Sequence, residues 1–491
     1  MIRLVTKIGA VLGGNSGARH SVLDLPEDAV GAEIGSKYYI APWTLETFIN
    51  ELLCTPKHRV PATGTSRELR SDSYAVLRIL TNLIIALENA EDGIFLEKHD
   101  VFTEMHRLGQ RQFPWQRGMG NSPSFYRSLL LYGTGSAADY FECDVGLTTA
   151  DFVKVGVWLA RALDRSDGVN RNTDLSSISI TPEVRERALS RVAISHNDAR
   201  ARARCMRATN LHTAYKPSIL RNFPIIAFGT YNERLRAPLP ALILERVTGG
   251  HYLDVVGGGP TVWSEIGERF EQYCVNYLSI MLAPYTVRGE YSYGPKKIRQ
   301  RTPDVLVSDG NEVILIAECK AKRMTFEARF SEDPITDAAT GYAEIAKGIF
   351  QIWRFLSHAR RGISGTPPVR SDCLGILLTV DPWLTMARNQ EEKVFAAAHA
   401  LADKEGSIET ADRCHVPVCL IDDVEFALQN GTATTFIDAC RELSFGKKKG
   451  WILSVAHVSE PSVTRPYPFR ERIGDILPWW PSSSGTDELE R

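Results

Sequence analysis

The sequence predicts an α/β protein (α+β overall), with an N-terminal mainly helical domain followed by a core of α-β-β-β-α-β order, a central mixed sheet flanked by helices. Three observations carry this. Apolar residues recur at helical spacing through most of the first 165 positions. Between about 260 and 430, helical periods alternate with short runs rich in β-branched residues. One of those runs, Glu312-Val-Ile-Leu-Ile-Ala-Glu318-Cys-Lys320, is apolar enough to be buried on both faces, yet it ends on two charged residues.

A chain of 491 residues exceeds one ordinary core. Its composition divides it into a helical domain at 1–165, a linker, basic helix and lead-in segment at 166–259, the α/β domain at 260–430, and a C-terminal extension and tail at 431–491. Hydrophobic residues make up 44% and charged residues 24%, with a formal net charge of -2. No global basic field exists, so any nucleic-acid contact must come from a local patch. The nine cysteines are odd in number and scattered, which favours reduced thiols and a cytoplasmic protein. Cys414-His415-Val-Pro-Val-Cys419 lacks a second ligand pair at zinc-finger spacing and reads as buried strand. No apolar run approaches the ~20 residues of a membrane span, and the N-terminus makes a poor signal peptide.

Taken in order, residues 1–40 read as a short strand and a loop. Gly13-Gly14-Asn15-Ser16-Gly17 is not a phosphate-binding loop, because no Lys-Ser or Lys-Thr follows. Thr44 reads as the N-cap of a helix carrying Leu45, Phe48, Ile49 and Leu52, and similar runs follow near 73–90, 100–112, 122–131 and 148–165. A polar linker spans 164–181. The helix after it holds Arg185, Arg187, Arg191, Arg200, Arg202, Arg204 and Arg207, either a solvated face or a phosphate-contacting arm; the Arg-Ala alternation excludes a single stripe. Residues 219–259 read as strands and loops. An amphipathic helix covers 261–282, strands cover 285–293, 303–308 and 312–320, a helix covers 341–360, and a buried strand covers 373–380. One more strand and a helix fall at 414–430. The tail carries Trp479-Trp480 and either docks on the body or stays disordered.

Side chains alternate along a strand, so Glu318 and Lys320 share one face and Cys319 takes the other. Two charges ending such an apolar run are costly to bury unless paired or ligated. Asp304 starts the neighbouring strand and offers a second carboxylate. Two hard oxygen ligands plus waters suit Mg2+, with Mn2+ as a substitute. Such an ion lowers the pKa of its water and stabilises charge on a phosphate. Lys320 beside it would orient or help deprotonate the attacking water.

Pro303-Asp304, thirteen intervening residues, then Glu318-Cys319-Lys320 resembles the PD-(D/E)XK nuclease superfamily, the restriction-endonuclease-like fold, over roughly residues 260–430. The preceding Gly267-Glu-Arg-Phe270-Glu271 is similar to that family's first-helix pattern. There Glu271 is the implied upstream acidic residue and metal ligand, with Glu265 and Glu268 as competitors and Glu290 as a weaker one. Gln351-Ile-Trp-Arg-Phe355 is similar to a Gln-x-x-x-Tyr motif, with Phe in place of Tyr. The resemblance implies a Mg2+-dependent nuclease acting on DNA, most naturally double-stranded, in prokaryotic restriction or anti-phage defence. The competing expectation is a catalytically silent nucleic-acid-binding or scaffold module. A third makes the N-terminal helical domain the business end, sensing a partner or ligand, with a partner protein or a homo-oligomer contacted through it. Lys296, Lys297, Arg299, Arg301, Lys322 and Arg323 flank the acidic pair and could hold a nucleic-acid backbone.

A geometric difficulty accompanies this reading. A simple hairpin closing on Asp309-Gly310 sets Asp304 opposite Leu315, ~10 Å along the strand from Glu318. The two carboxylates meet only if the strand bulges or the loop is asymmetric.

Overall fold

The computed structural model describes residues 1–12, 22–55, 70–209, 212–297, 299–384, 387–460 and 462–481. It is a mixed helix-and-sheet protein, 57% helical and 11% strand. The glycine cluster at 13–17 and the last ten residues of the tail lie outside the described residues.

The N-terminal half begins with α1 (Ile2–Leu12), α2 (Pro42–Cys54), α3 (Tyr74–Leu96), α4 (Val101–Gln116), α5 (Ser122–Tyr132), α6 (Gly135–Val145) and α7 (Thr149–Arg165). α1 corrects the expected strand: Leu4, Val5 and Ile8 are buried at helical spacing. α2 starts two residues before the expected cap, because Pro42 sits in its first turn with φ already set for a helix, leaving Thr44 inside. α6 escaped the sequence reading because only Ala137 and Phe141 are buried along it. α7 shows why its sequence folds as it does. The Thr148 hydroxyl accepts the Asp151 N–H at 3.1 Å, Asp151 and Arg165 complement the helix dipole, and Phe152, Val155, Leu159 and Leu163 bury one stripe.

Next come β1 (Val169–Asn170), α8 (Pro182–Val192), β2 (Ala193–Ser195) and α9 (His196–Thr209). The expected single basic helix is therefore two, broken where β2 pairs with a later strand. Most of its arginines are occupied: Arg187 donates to the Gly146 carbonyl, Arg191 to Asp144 at 2.8 Å, and Arg200 to the Thr55 carbonyl at 2.5 Å. Residues 219–259 are more helical than expected, with α10 (Ile219–Asn222), β3 (Ile225–Phe228), β4 (Arg234–Arg236), α11 (Ala241–Val247) and α12 (Tyr252–Val255). The first four strands form one small sheet in the order β1-β4-β3-β2.

The helix α13 (Gly259–Met281) leads into β5 (Thr286–Gly289), the small hairpin β6 (Ser292–Tyr293) and β7 (Gln300–Arg301), then β8 (Val305–Asp309) and β9 (Glu312–Lys320). Two short helices, α14 (Phe326–Arg329) and α15 (Pro334–Asp337), precede α16 (Ala339–Arg360). They are followed by β10 (Val369–Thr379), α17 (Arg388–Glu405), β11 (Val418–Leu420), α18 (Ile421–Gln429) and α19 (Ala433–Ser444). The central sheet has the order β11-β10-β9-β8-β5, parallel over β9, β10 and β11 and antiparallel over β5, β8 and β9.

Two apolar layers clothe this sheet. One contains Val305, Val307, Ala317, Cys319, Leu374 and Leu378, with α13, α18, α19 and also α5 and α7. The other contains Leu306, Ile316 and Leu377, with α16 and α17. The first layer draws on both sides of the boundaries expected at 165, 259 and 430. The tail joins it too: Tyr467 and Phe469 are buried there, and Trp479 donates to the Ala150 carbonyl at 2.9 Å. No described helix is long and apolar enough to cross a membrane.

Candidate active site

The β8–β9 hairpin does not close on Asp309-Gly310. Asp309 pairs with Glu312 across Gly310-Asn311, and Gly310 takes the left-handed conformation (φ +59°) that such a turn needs. A bulge follows. Ser308 pairs with Val313 but Val307 pairs with Leu315, so Ile314 is the extra residue. Ile314 and Leu315 accordingly both pack in the same apolar layer. Turn and bulge together move the register by three positions. Val305 faces Ala317, and the next pair outward is Asp304 with Glu318.

Asp304, Glu318 and Lys320 thus share the sheet face that α16 covers. Asp304 accepts the Cys319 N–H at 2.7 Å, and Lys320 Nζ donates to Glu318 Oε2 at 3.0 Å and Gln351 Oε1 at 3.4 Å. α16 comes this close because residue 348 is glycine: a Cβ there would stand 2.3 Å from Leu377 Cδ1 and 3.0 Å from Lys320 Cε. Glu271 arrives from α13. These five residues line one cavity of about 220 Å3, together with Glu290, Arg301, Thr302 and Arg354.

Of the competing acids, Glu265 accepts the Ser136 N–H and pairs with Arg269, and Glu268 is exposed beside Ser264. Glu290 lines the cavity and pairs with Arg301 at 2.6 Å. Arg354 was not singled out from the sequence. Its position one helical turn after Gln351 was the available signal, since i and i+3 share a face.

The basic positions separate. Lys296, Lys297 and Arg299 are exposed on the β6–β7 hairpin, whose return strand brings Arg301 to the cavity. Lys322 is exposed. Arg323 corrects the expectation of a phosphate contact: it donates to Asp381 at 3.2 Å and to the Gly249 carbonyl at 2.6 Å, and lies over the Tyr252 ring. Asp381 also takes Arg329 and the Met324 N–H, so this is a structural ion pair.

Electrostatically the cavity is over-supplied with carboxyls. Asp304 is 9% exposed and Glu318 3%. Burial pushes Glu318 up to about 8, against the pull of Lys320 and with a further push from Asp304. Glu271 is pushed up to about 7 by burial, then by Asp304 and Glu290. Asp304 is raised by burial against the Cys319 N–H and Lys320. Burial opposes the charge on Lys320, but Glu318 and Asp304 more than offset it and the ammonium is stabilised. Among the described residues, no three His, Cys, Asp or Glu side chains stand close enough together to hold one ion. Asp304, Glu318 and Glu271 nevertheless line the same cavity.

A pH prediction follows. The folded Glu318 pKa lies above its ordinary value of 4.5, so between there and about 8 the folded state binds more protons than the unfolded one. This group's contribution to stability falls as pH rises through that window. In EDTA, Glu318→Gln should lose less Tm than wild type between about pH 5.5 and about pH 8. Asp92, raised to about 6, Glu425, raised to about 7, and His415, lowered to about 4, titrate in both proteins and cancel in the difference. Equal slopes in the two proteins would contradict the raised carboxyl.

No known family model, no curated protein and no solved structure matches this chain.

Proposed function

We propose that the chain is a metal-dependent nuclease that hydrolyses phosphodiester bonds in double-stranded DNA, with a core similar to the PD-(D/E)XK superfamily. The observation that carries this reading is the bulged hairpin. It sets Asp304 against Glu318 and leaves both, with Lys320, beneath Gln351. A bulge that costs a ladder pair in order to bring two carboxylates together is a feature of sites rather than of scaffolds.

The residues fit a divalent cation. Burial first, and neighbouring carboxylates after it, raise Asp304, Glu271 and Glu318, and the pull of Lys320 does not offset this. Asp304 and Glu318 would hold Mg2+ or Mn2+, water and phosphate oxygens completing the shell, as is usual for Mg2+. When bound, the ion supplies charge neutralisation and an acidified water. The chain's own groups do the rest. Lys320, an ammonium here, shields charge developing on a phosphate. Gln351 fixes the lysine's direction and can align a water. Arg354 and Arg301 line the same cavity, and the exposed cations of the β6–β7 hairpin extend it as a backbone track.

One observation favours the silent module instead: Lys320 is already paired with Glu318 at 3.0 Å. Incubating the purified protein with supercoiled, linear and single-stranded DNA and with RNA, in Mg2+, Mn2+ or EDTA, separates the two. Cleavage dependent on either ion is the expected result. DNA binding with no cut strand in either ion selects the silent module, and RNA cleaved in place of DNA would overturn the substrate.

A further inference from the structure

A second cavity, of about 760 Å3, lies on the other side of α16 and belongs to no part of the site above. Its volume falls within the ~300–1,000 Å3 range of small-molecule sites. Trp353 of α16, fully buried and donating to the Cys414 carbonyl at 2.7 Å, closes its floor two residues beyond Gln351, so one helix separates the two cavities.

Its walls are flat rings. Phe395 stacks on His415 with centroids 4.9 Å apart and planes 12° apart, and Trp353 leans on His399 at 4.7 Å. Trp451 stands on the rim, half exposed. The His415 side chain is 7% exposed, and burial followed by Lys449 pushes its pKa down to about 4, so the ring is neutral. Its Nε2 lies 3.2 Å from Glu391 Oε1 but without hydrogen-bond alignment, and it makes no hydrogen bond among the described residues. The chain thus leaves this ring nitrogen without an aligned hydrogen bond, and a ligand or water in the cavity can supply one.

The rim is cationic. Arg388 is balanced by Glu392 at 3.5 Å and Arg413 by Asp403 at 2.7 Å. Lys447 and Lys449 are exposed at the mouth, and neither has a carboxylate within ion-pairing distance among the described residues. Accessible aromatic rings on which a flat heterocycle can pack, a neutral imidazole beside them, and two lysines for an anion define one ligand chemistry.

We infer that this cavity binds a mononucleotide, its base against the rings of Phe395 and Trp451 and its phosphate on Lys447 and Lys449. The site is independent of the nuclease reading.

Isothermal titration of the full-length Asp304→Asn protein, in EDTA, with AMP, GMP, CMP and UMP tests this. The four monophosphates hold no phosphodiester bond and EDTA removes divalent ions, so failure of the nuclease reading does not bear on the outcome. At least one nucleotide should bind with Kd of ~10⁻⁵–10⁻³ M. Its nucleoside and inorganic phosphate should each bind at least ~10-fold more weakly. Trp451→Ala and Lys449→Glu, both at exposed positions, should each weaken the nucleotide ~10-fold or more, while Arg354→Ala in the other cavity leaves it unchanged. Absence of binding by all four nucleotides at ~10 mM overturns the inference. So does phosphate binding as tightly as nucleotide, or affinity that falls in Arg354→Ala and not in the two rim variants.

Discussion

Glu318→Gln, Asp304→Asn and Lys320→Ala should each lower Mg2+-dependent DNA cleavage by ~10²–10⁴-fold, the usual cost of removing one positioned acid–base or charge-stabilising group. The three act on one phosphate, so the losses should not add. Glu318→Gln combined with Lys320→Ala is expected to cut little worse than the poorer single variant. Stability should move differently from activity. Glu318 is a buried carboxyl pushed up to about 8, so an amide of the same shape removes a charge the fold disfavours, and Tm at neutral pH should hold or rise. Asp304 accepts the Cys319 N–H at 2.7 Å. Asparagine retains an acceptor there, whereas Asp304→Ala strands a buried donor at ~1–3 kcal/mol. Activity is checked by nicking of supercoiled plasmid and folding by thermal denaturation. A Glu318→Gln protein that folds and nicks at the wild-type rate would end the proposal.

How much of this was legible in the sequence follows from physical differences between the elements. β9 was read to the residue, because nine positions of mostly β-branched and apolar character between a turn and two charges admit little else. α13 was nearly as plain, since Ile266, Phe270, Tyr273, Cys274, Tyr277 and Leu278 repeat at helical spacing and all are buried. The bulge at Ile314 was required by the two carboxylates but could not be located. Alternation fails there between two apolar residues, Ile314 and Leu315, and apolar beside apolar carries no signal of facing. Arg323 was misread because a sequence shows a cation but not its partner: Asp381, 58 positions away, claims it. Contacts that cross the expected boundaries are silent for a related reason. Composition shifts at 165 and 259, but Phe125, Phe152, Phe270 and Phe436 belong to one buried cluster, and contacts at such sequence separations leave no local trace.

That shared cluster sets the second large effect. Arg127 of α5 is buried and donates to Glu425 and Asp422 of α18, and Glu425 also accepts the Tyr273 hydroxyl from α13. Three elements drawn from residues 122–132, 259–281 and 421–429 converge on the Glu425 carboxylate. Arg127→Ala leaves Glu425, 2% exposed, without its counter-charge, and the expected cost is ~3–5 kcal/mol. The size depends on pH. Even with Arg127 present, burial raises Glu425 to about 7. Without it the carboxyl takes up a proton more readily, so the loss should be smaller near about pH 5.5 than near about pH 8. Glu425→Gln in the same chain should recover part of the loss at the higher pH, because it removes the stranded charge while leaving a group for the Tyr273 hydroxyl. Urea denaturation at the two pH values measures this, with an unchanged m-value showing that the same surface is exposed. An Arg127→Ala midpoint equal to wild type at about pH 8 would show that α5 does not hold the sheet domain in place. Deleting residues 1–210 cannot ask the same question cleanly: it removes Phe125, Leu129, Phe152 and Leu159 from the layer against α13, so lost activity would report a broken core and not a lost partner contact.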